Sequence, residues 1–325
     1  MKLIKPRRPI RGRRSKGKAP NSAAALAAAN AARAPKSAHE VFELSTQDRF
    51  VRGLIGMVGV LVVAFLVNIL VFSHIYHAVA QQNLRNDFRE QLALATAPTA
   101  EVDLNNIILK QGAAVAVLDI PAIGVHEIVA EGTDSGTLRG GPGHRRDTVL
   151  PGQQGASIIM GRAGAYGATF ARLQELKPGT KFTIITAQGK QIFQTLGLRY
   201  AGDLTLPDLQ AGESRLVLLT ARGAPYVPNG VVRLDAKLIS QVQPAGLRVS
   251  SFINVPREDR EFGFDFRFVW ALVLALQLLI ALEVLAIWAF NRVGSRGTYL
   301  VFGPLIFFAL VLVMDQTTRL LPNLL

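Results

Sequence analysis

The side chains that could do chemistry are few, because the 325 residues include no cysteine and only five histidines. The absence of cysteine excludes disulfides, thiolate metal sites and a thiol nucleophile together. The histidines show no paired spacing beside carboxylates, so the sequence predicts no metal site and no cofactor. Hydroxyl chemistry is conceivable, with Thr220 as nucleophile and His144 as base. A threonine at the end of a strand is more often structural, and a hydroxyl needs a base within hydrogen-bond distance.

Two polar side chains fall inside long apolar runs. Glu283 lies near the middle of one run, and Asn68 lies deep in another. A carboxylate within a membrane is costly and usually faces protein or water. Such a residue predicts either a contact with a partner helix or a proton-linked site. The alternative is a protonated Glu283 that is hydrogen-bonded within the protein's own helix bundle.

Three apolar runs are long enough to cross a membrane, and they define the elements that must position these side chains. They cover residues 53–73, 268–290 and 298–316, and about 20 apolar residues span the hydrocarbon core. About 50 residues precede the first run, which is also too long for the apolar part of a signal peptide. We therefore expect a retained membrane anchor rather than a cleaved signal.

The basic residues near these runs predict the orientation of the chain. Residues 1–52 carry thirteen Lys and Arg against three acidic residues, and the loop 291–297 carries Arg292 and Arg296 with no acid. The positive-inside rule places both in the cytoplasm. The tail 1–52 is expected to be mostly disordered and to bind anionic lipid. It lacks interleaved aromatic residues, so no nucleic-acid partner is predicted.

The middle of the chain is predicted to lie outside the membrane and to be mainly β. Residues 74–112 read as an amphipathic helix and a linker, 113–245 as a β domain, 246–267 as a return linker and 317–325 as an extracytoplasmic C-terminus. Short β-type runs separated by Gly, Pro and Asp turns indicate a barrel or a sandwich. The predicted strands are 114–120, 126–129, 156–160, 181–186, 191–200, 215–220 and 231–238. A short helix is predicted over 170–176.

Two segments of this domain resemble sortases, the cysteine transpeptidases of Gram-positive cell envelopes, and in particular the actinobacterial housekeeping-like (class E) type. The first runs from Leu118 to Leu176 and includes GPGHRRDT and IIMGRAGAYGATF, and the second is RLVLLTA at Arg215 to Ala221. The resemblance implies a closed eight-stranded β-barrel with short helices. Together with the apolar runs, this predicts a sortase-like barrel carrying three transmembrane helices.

The resemblance also implies where the reacting groups would lie. The family's histidine follows the glycine of IIMG, where this chain has Arg162, and its cysteine ends the second segment, where this chain has Ala221. The family's arginine corresponds to Arg233 in NGVVRLDAKL. Alanine offers no nucleophile, and an arginine keeps its proton at neutral pH. These three positions therefore predict a vestigial site and a protein that is not an enzyme.

We expect a non-catalytic sortase-like subunit or scaffold of a cell-envelope membrane complex, which binds an extracytoplasmic peptide or protein through the barrel. Its predicted location is the plasma membrane of a Gram-positive or actinobacterial cell, with other membrane subunits as partners. One alternative is an active cysteine transpeptidase whose nucleophile was replaced by Ala221, or a hydrolase that uses Thr220. A third is a transporter component that uses Glu283.

Overall fold

The computed structural model describes residues 46–103, 105–204, 206–224, 226–248, 256–263 and 266–325. Most of the predicted basic tail, residues 1–45, lies outside the described residues, as does part of the return linker. The chain divides into two compact units, Met1–Gly56 and Met57–Leu325. The barrel, its covering segments and the packed part of the apolar helices belong to the second unit.

Eight strands form a closed barrel, which confirms the predicted fold. Their order around the barrel is β1-β2-β3-β4-β7-β8-β6-β5. The closure removes the exposed edges that an open sheet would leave. The strands are β1 Ala114–Ile120, β2 Val125–Glu131, β3 Gly143–His144, β4 Gly155–Met160, β5 Lys181–Thr186, β6 Gly189–Tyr200, β7 Ser214–Ala224 and β8 Val227–Leu238.

Inward-facing apolar side chains fill the barrel. In β5 the burial alternates along KFTIIT, as expected when one face of a strand points to the core. Phe182 and Phe193 lie on paired positions of β5 and β6 and stack with 5.9 Å between ring centroids. Deleting a buried phenylalanine of this kind costs about 3–5 kcal/mol. This core holds the strand ends that carry the site.

The structure differs from the predicted elements in several places. β3 was missed, because only two residues lie between the preceding turn and the next loop. β7 and β8 extend beyond the predicted ends as a hairpin, and the predicted short helix over 170–176 is only a 3₁₀ turn at Leu173–Glu175. A further helix, α3, covers Ser135–Gly140 and begins at Asp134, whose carboxylate accepts from the Thr137 N–H at 2.8 Å.

Three helices are long and apolar enough to cross a membrane: Val51–Ala93, Phe266–Val293 and Ser295–Arg319. The first consists of α1 Thr46–Val67, a π-helical turn Asn68–Phe72 and α2 Ser73–Ala93. The others contain α4 Val269–Val293 and α5 Ser295–Arg319. Side chains of all three helices form one apolar cluster, which consists of Leu61, Ala64, Phe65, Leu272, Ala275, Leu279, Leu282, Ile306, Ala309, Leu310, Val313 and Met314.

α2 leaves this bundle and packs its buried face against the barrel. Phe88 is 1% exposed and contacts β1 and β2. The Gln81 side chain forms hydrogen bonds with the backbone of the barrel domain. Its Oε1 accepts from the Ile128 N–H at 2.7 Å, and its Nε2 donates to the Ile128 and Gly140 carbonyls. His77 lies 3.0 Å from a Glu127 carboxylate oxygen. The amphipathic stripe therefore packs on the protein's own barrel.

Candidate functional site at the end of the barrel

The register of three neighbouring strands brings Arg162, Ala221 and Arg233 to one region of the barrel. β4 runs parallel to β7, with Met160 opposite Leu219, and the Gly161 N–H continues this pairing by donating to the Leu219 carbonyl at 3.0 Å. β8 pairs antiparallel with β7 and places Arg233 opposite Leu219. The three positions matched by the resemblance therefore lie in, or directly after, three adjacent strands.

Arg162 is almost fully buried, with 1% of its surface exposed. Its Nη2 donates to the Ser135 hydroxyl at 3.1 Å, and its Nη1 donates to the Leu325 carbonyl at 2.7 Å. The guanidinium also lies over the Tyr166 ring, 5.2 Å from its centroid. Burial lowers the pKa of Arg162 to about 10, and nearby Arg139 adds to this effect. The group still keeps its proton at neutral pH, so it supplies fixed positive charge.

Ala221 lies in a small apolar cluster rather than in an open cleft. It is 5% exposed and packs with Met160, Leu219 and Val231 from the barrel strands and with Leu138 of α3. Leu324, from the segment after α5, completes this cluster and is fully buried. The space beside the matched cysteine position is therefore occupied by a leucine of the same chain.

Arg233 forms an ion pair with Glu261, with 2.7 Å between Nη2 and the carboxylate oxygen. Both side chains are about one-third exposed, since their accessible fractions are 27% and 32%. Glu261 belongs to residues 256–263, which we call the strap. Thr133 holds the strap to the barrel, because its hydroxyl donates to the Asp259 carbonyl at 2.7 Å. The matched arginine is therefore paired with a covering segment.

A second group of charged residues lies beside the site, where α3 meets α2 and α5. Arg139 is 2% exposed and forms an ion pair with Asp315 of α5. Its guanidinium lies over the rings of Tyr76 and Tyr166, at 4.5 and 4.8 Å from their centroids. The Tyr166 hydroxyl donates to Thr318 at 2.7 Å. This cluster ties the helices to the loop that follows β4.

Sequence reasoning missed this cluster, because its members come from four distant parts of the chain. A weak signal existed at Tyr166, which lies in the segment GAYGA next to Arg162. The tyrosine adopts a positive φ of 54°, which is unusual for an aromatic residue. That conformation turns the ring between the two buried arginines.

Thr220 and His144 do not form a nucleophile–base pair. The Thr220 hydroxyl donates to the Gly161 carbonyl at 2.8 Å, across from β7 to β4. His144 is buried, with Nδ1 2.8 Å from Glu131 and Nε2 2.9 Å from the Val149 carbonyl. Burial lowers the pKa of His144, but Glu131, the Val149 carbonyl and Asp147 together outweigh burial, so the pKa is raised. Within the described part of the chain, no hydrogen bond joins the two side chains.

The two polar residues of the apolar helices lie in different surroundings. Asn68 is 6% exposed and begins the π-helical turn between α1 and α2. Glu283 lies within α4 and is partly exposed. Over the described ranges, no group of three or more His, Asp or Glu residues could hold a metal ion.

Residues 118–232 match the family model for the Sortase domain. The barrel is sortase-like. In a comparison with curated proteins, the chain is 27% identical to Sortase D of Bacillus subtilis (strain 168) over 124 residues. That alignment covers 38% of this chain and 61% of Sortase D, so the chain spans less than two thirds of this relative.

Solved sortase structures are also similar to this chain. A Sortase D5 transpeptidase of Clostridium perfringens is 21% identical, with a TM-score of 0.40 and coverage of 50% of this chain and 99% of that one. Sortase A of Corynebacterium diphtheriae, in a lid mutant, is 22% identical, with a TM-score of 0.38 and coverage of 50% and 95%.

The similarity to sortases corrects one prediction. A protein that is not an enzyme was predicted from Arg162 and Ala221, but the relatives are sortases, which are enzymes. The lack of a thiol excludes only the cysteine mechanism, and hydroxyl chemistry of the kind considered for Thr220 does not require a thiol. A chain without cysteine cannot form a thioester, yet hydroxyl groups such as those of Ser135 and Thr220 lie in the same region. Replacement of two side chains does not demonstrate loss of activity.

Proposed function

We propose that the protein is a membrane-held sortase-family subunit or scaffold of a cell-envelope complex, whose barrel cleft binds an extended peptide or protein segment. The observation that carries this proposal is that the barrel residues around Arg162 and Ala221 bind Leu324 and Leu325 of the same chain. The Ala163 N–H donates to the Leu324 carbonyl at 3.0 Å, Arg162 donates to the next carbonyl, and the Leu324 side chain enters the pocket beside Ala221. Backbone hydrogen bonds combined with a side-chain pocket are the elements of peptide recognition.

The apolar helices and the charge distribution support the proposed location. We place residues 1–52 and the loop 291–297 in the cytoplasm and the barrel on the outer face of the plasma membrane of a Gram-positive or actinobacterial cell. The basic residues of both cytoplasmic segments favour this orientation. The exposed apolar surfaces of α1, α4 and α5 offer contacts to lipid and to the helices of other subunits.

A photo-crosslinking experiment tests the proposed binding. The Tyr226 side chain lies beside Gly164 at the mouth of the cleft and is 38% exposed. A benzoylphenylalanine in place of Tyr226 is expected to yield a discrete adduct with an envelope protein in intact cells. The same group at Leu204, which is 93% exposed, serves as the matched control. No adduct at 226, or the same adducts at both positions, would contradict the proposal.

A second candidate function, acyl transfer through a hydroxyl group, is favoured by the sortase relatives. In that reaction the Thr220 oxygen would attack a peptide carbonyl, the amine would leave with a proton, and an ester would form. A second amine would then attack the ester and release the hydroxyl. Mass spectrometry of the protein incubated with envelope peptides would reveal an ester at Thr220. The Thr220→Val variant is the control, and an ester in both proteins would exclude this nucleophile.

A further inference from the structure

Residues 320–325, which we call the tail, follow directly after α5 and are half-buried or fully buried. Asn323 and Leu324 have no exposed surface. Here the tail runs between the barrel end and the strap, so the site is covered from two sides by residues outside the barrel strands.

The strap holds the tail through one amide side chain. The Asn323 Nδ2 donates to the carbonyls of Glu258 and Arg260, the latter at 2.9 Å. An NH₂ group has two hydrogens and can form both bonds at once. The Arg260 carbonyl also accepts from the Gly263 N–H at 2.9 Å. An aspartate of the same shape would place a carboxylate against two carbonyl oxygens. Position 323 therefore decides whether the tail fits beneath the strap.

The barrel in turn needs an occupant at the place where the tail lies. Arg162 is a buried cation whose described hydrogen bonds go only to Ser135 and to the Leu325 carbonyl. Buried polar groups without partners are costly. If the tail left, the Arg162 guanidinium would keep Ser135 but lose the Leu325 acceptor, the Ala163 N–H would lose the Leu324 acceptor, and the pocket of Leu324 would be empty. A peptide of the same chemistry would restore all three contacts.

We propose that the tail is an internal ligand of the cleft, and that a partner peptide binds only by displacing it. The partner segment is extended, with an amide side chain followed by a leucine-sized apolar residue, because those are the groups that the strap and the pocket accept. This inference rests on the proposed function, since it concerns the same cleft. It adds a competition within the chain to that function, so that binding is coupled to release of the segment that follows α5.

The absence of cysteine gives a direct test, because a single introduced thiol can be labelled selectively. The full-length protein in lipid nanodiscs would carry Leu325→Cys as the reporter, with Leu204→Cys as the exposed control. We expect a maleimide to label position 325 at least about tenfold more slowly than position 204. Adding Asn323→Asp is expected to raise the rate at 325 about tenfold and to leave the rate at 204 unchanged.

The second measurement is the binding of a fluorescent peptide with the sequence of residues 320–325. The Asn323→Asp protein is expected to bind this peptide about tenfold more tightly than the unmodified protein does, because the internal competitor is weakened. A peptide with aspartate in place of its asparagine is the matched control and is expected not to bind. Leu324→Ser, which disrupts the pocket contact instead of the amide contact, provides an independent variant with the same expected gain.

The outcomes separate this inference from the proposed function. Equal labelling rates at positions 325 and 204 in the unmodified protein would overturn the inference, because the tail would not be held. Faster labelling of the variants without a gain in peptide affinity would also overturn it. In either case a specific crosslink at position 226 would still support the proposed function. Loss of that crosslink with normal tail behaviour would instead remove the proposed function.

Discussion

The ion pair between Arg139 and Asp315 allows the link between the barrel and α5 to be tested quantitatively. Arg139 is 2% exposed, so the stabilisation of its positive charge comes from Asp315 and from the ring faces of Tyr76 and Tyr166 rather than from water. Removing one partner of a buried pair costs about 3–5 kcal/mol. The Asp315 side chain is 27% exposed, and the two tyrosine faces retain part of the stabilisation. We therefore expect Asp315→Asn to cost about 2–3 kcal/mol.

The assay is thermal unfolding of the full-length protein in nanodiscs. For a domain of this size, a loss of about 2–3 kcal/mol lowers Tm by about 4–10 °C. The matched control is Glu175→Gln, which removes the partner of Arg172 in a pair whose side chains are more than half exposed. Such exposed pairs contribute little, so no clear change in Tm is expected. Arg139→Met combined with Asp315→Leu should recover much of the lost stability, because neither charge is then left unpaired.

Two results would refute this reasoning. If Asp315→Asn lowers Tm no more than Glu175→Gln does, the contact with Asp315 does not stabilise the buried Arg139. If the double replacement is as unstable as the sum of its single changes, the two side chains act independently. A coupling energy of about 2 kcal/mol is the expected value.

Burial, with a contribution from Asp134, raises the pKa of Asp259 from 3.8 to about 6, so the folded protein holds this proton more tightly than the unfolded chain does. Stability should therefore fall by about 1–2 kcal/mol, after allowance for solvent screening, as pH rises from about 4 to above 6. Asp259→Asn should remove this decline, and an unchanged pH profile would contradict the assignment. Gly143→Ala should destabilise the barrel by about 3 kcal/mol, because its Cβ would lie 2.1 Å from the Gly132 carbonyl oxygen. Gly197→Ala meets no atom within 4 Å and is the control for chemical denaturation; equal losses would contradict this explanation.

The strands could be predicted where the pattern of the sequence is local. Ala114–Ile120 and Lys181–Thr186 have the predicted bounds, because alternation and flanking turns mark both of their ends. The two-residue strand Gly143–His144 could not be found in this way. Its pairing depends on β2 and β4, which are distant in sequence. Periodicity alone indicated either a barrel or a sandwich. The resemblance to sortases was needed to predict a closed barrel.

The site was only partly predictable for the same physical reason. Local sequence motifs aligned Arg162 and Ala221 with family positions, and the strands bring both positions together. Residues 317–325 were predicted merely to be an extracytoplasmic C-terminus. The burial of Asn323 depends on carbonyls of the strap more than 60 residues earlier in the chain. No periodic pattern reports such a contact.

The arginine at position 162 and the helix pair after the barrel are connected through one contact. A guanidinium is longer than an imidazole and always charged at neutral pH, so it requires acceptors deep in the barrel. The Leu325 carbonyl is one of these acceptors, and Leu325 belongs to the segment that follows α5. The same helix supplies Asp315 to the second buried arginine, Arg139. The charged site and the last apolar helix thus stabilise each other, and a partner that displaced the tail would act on both.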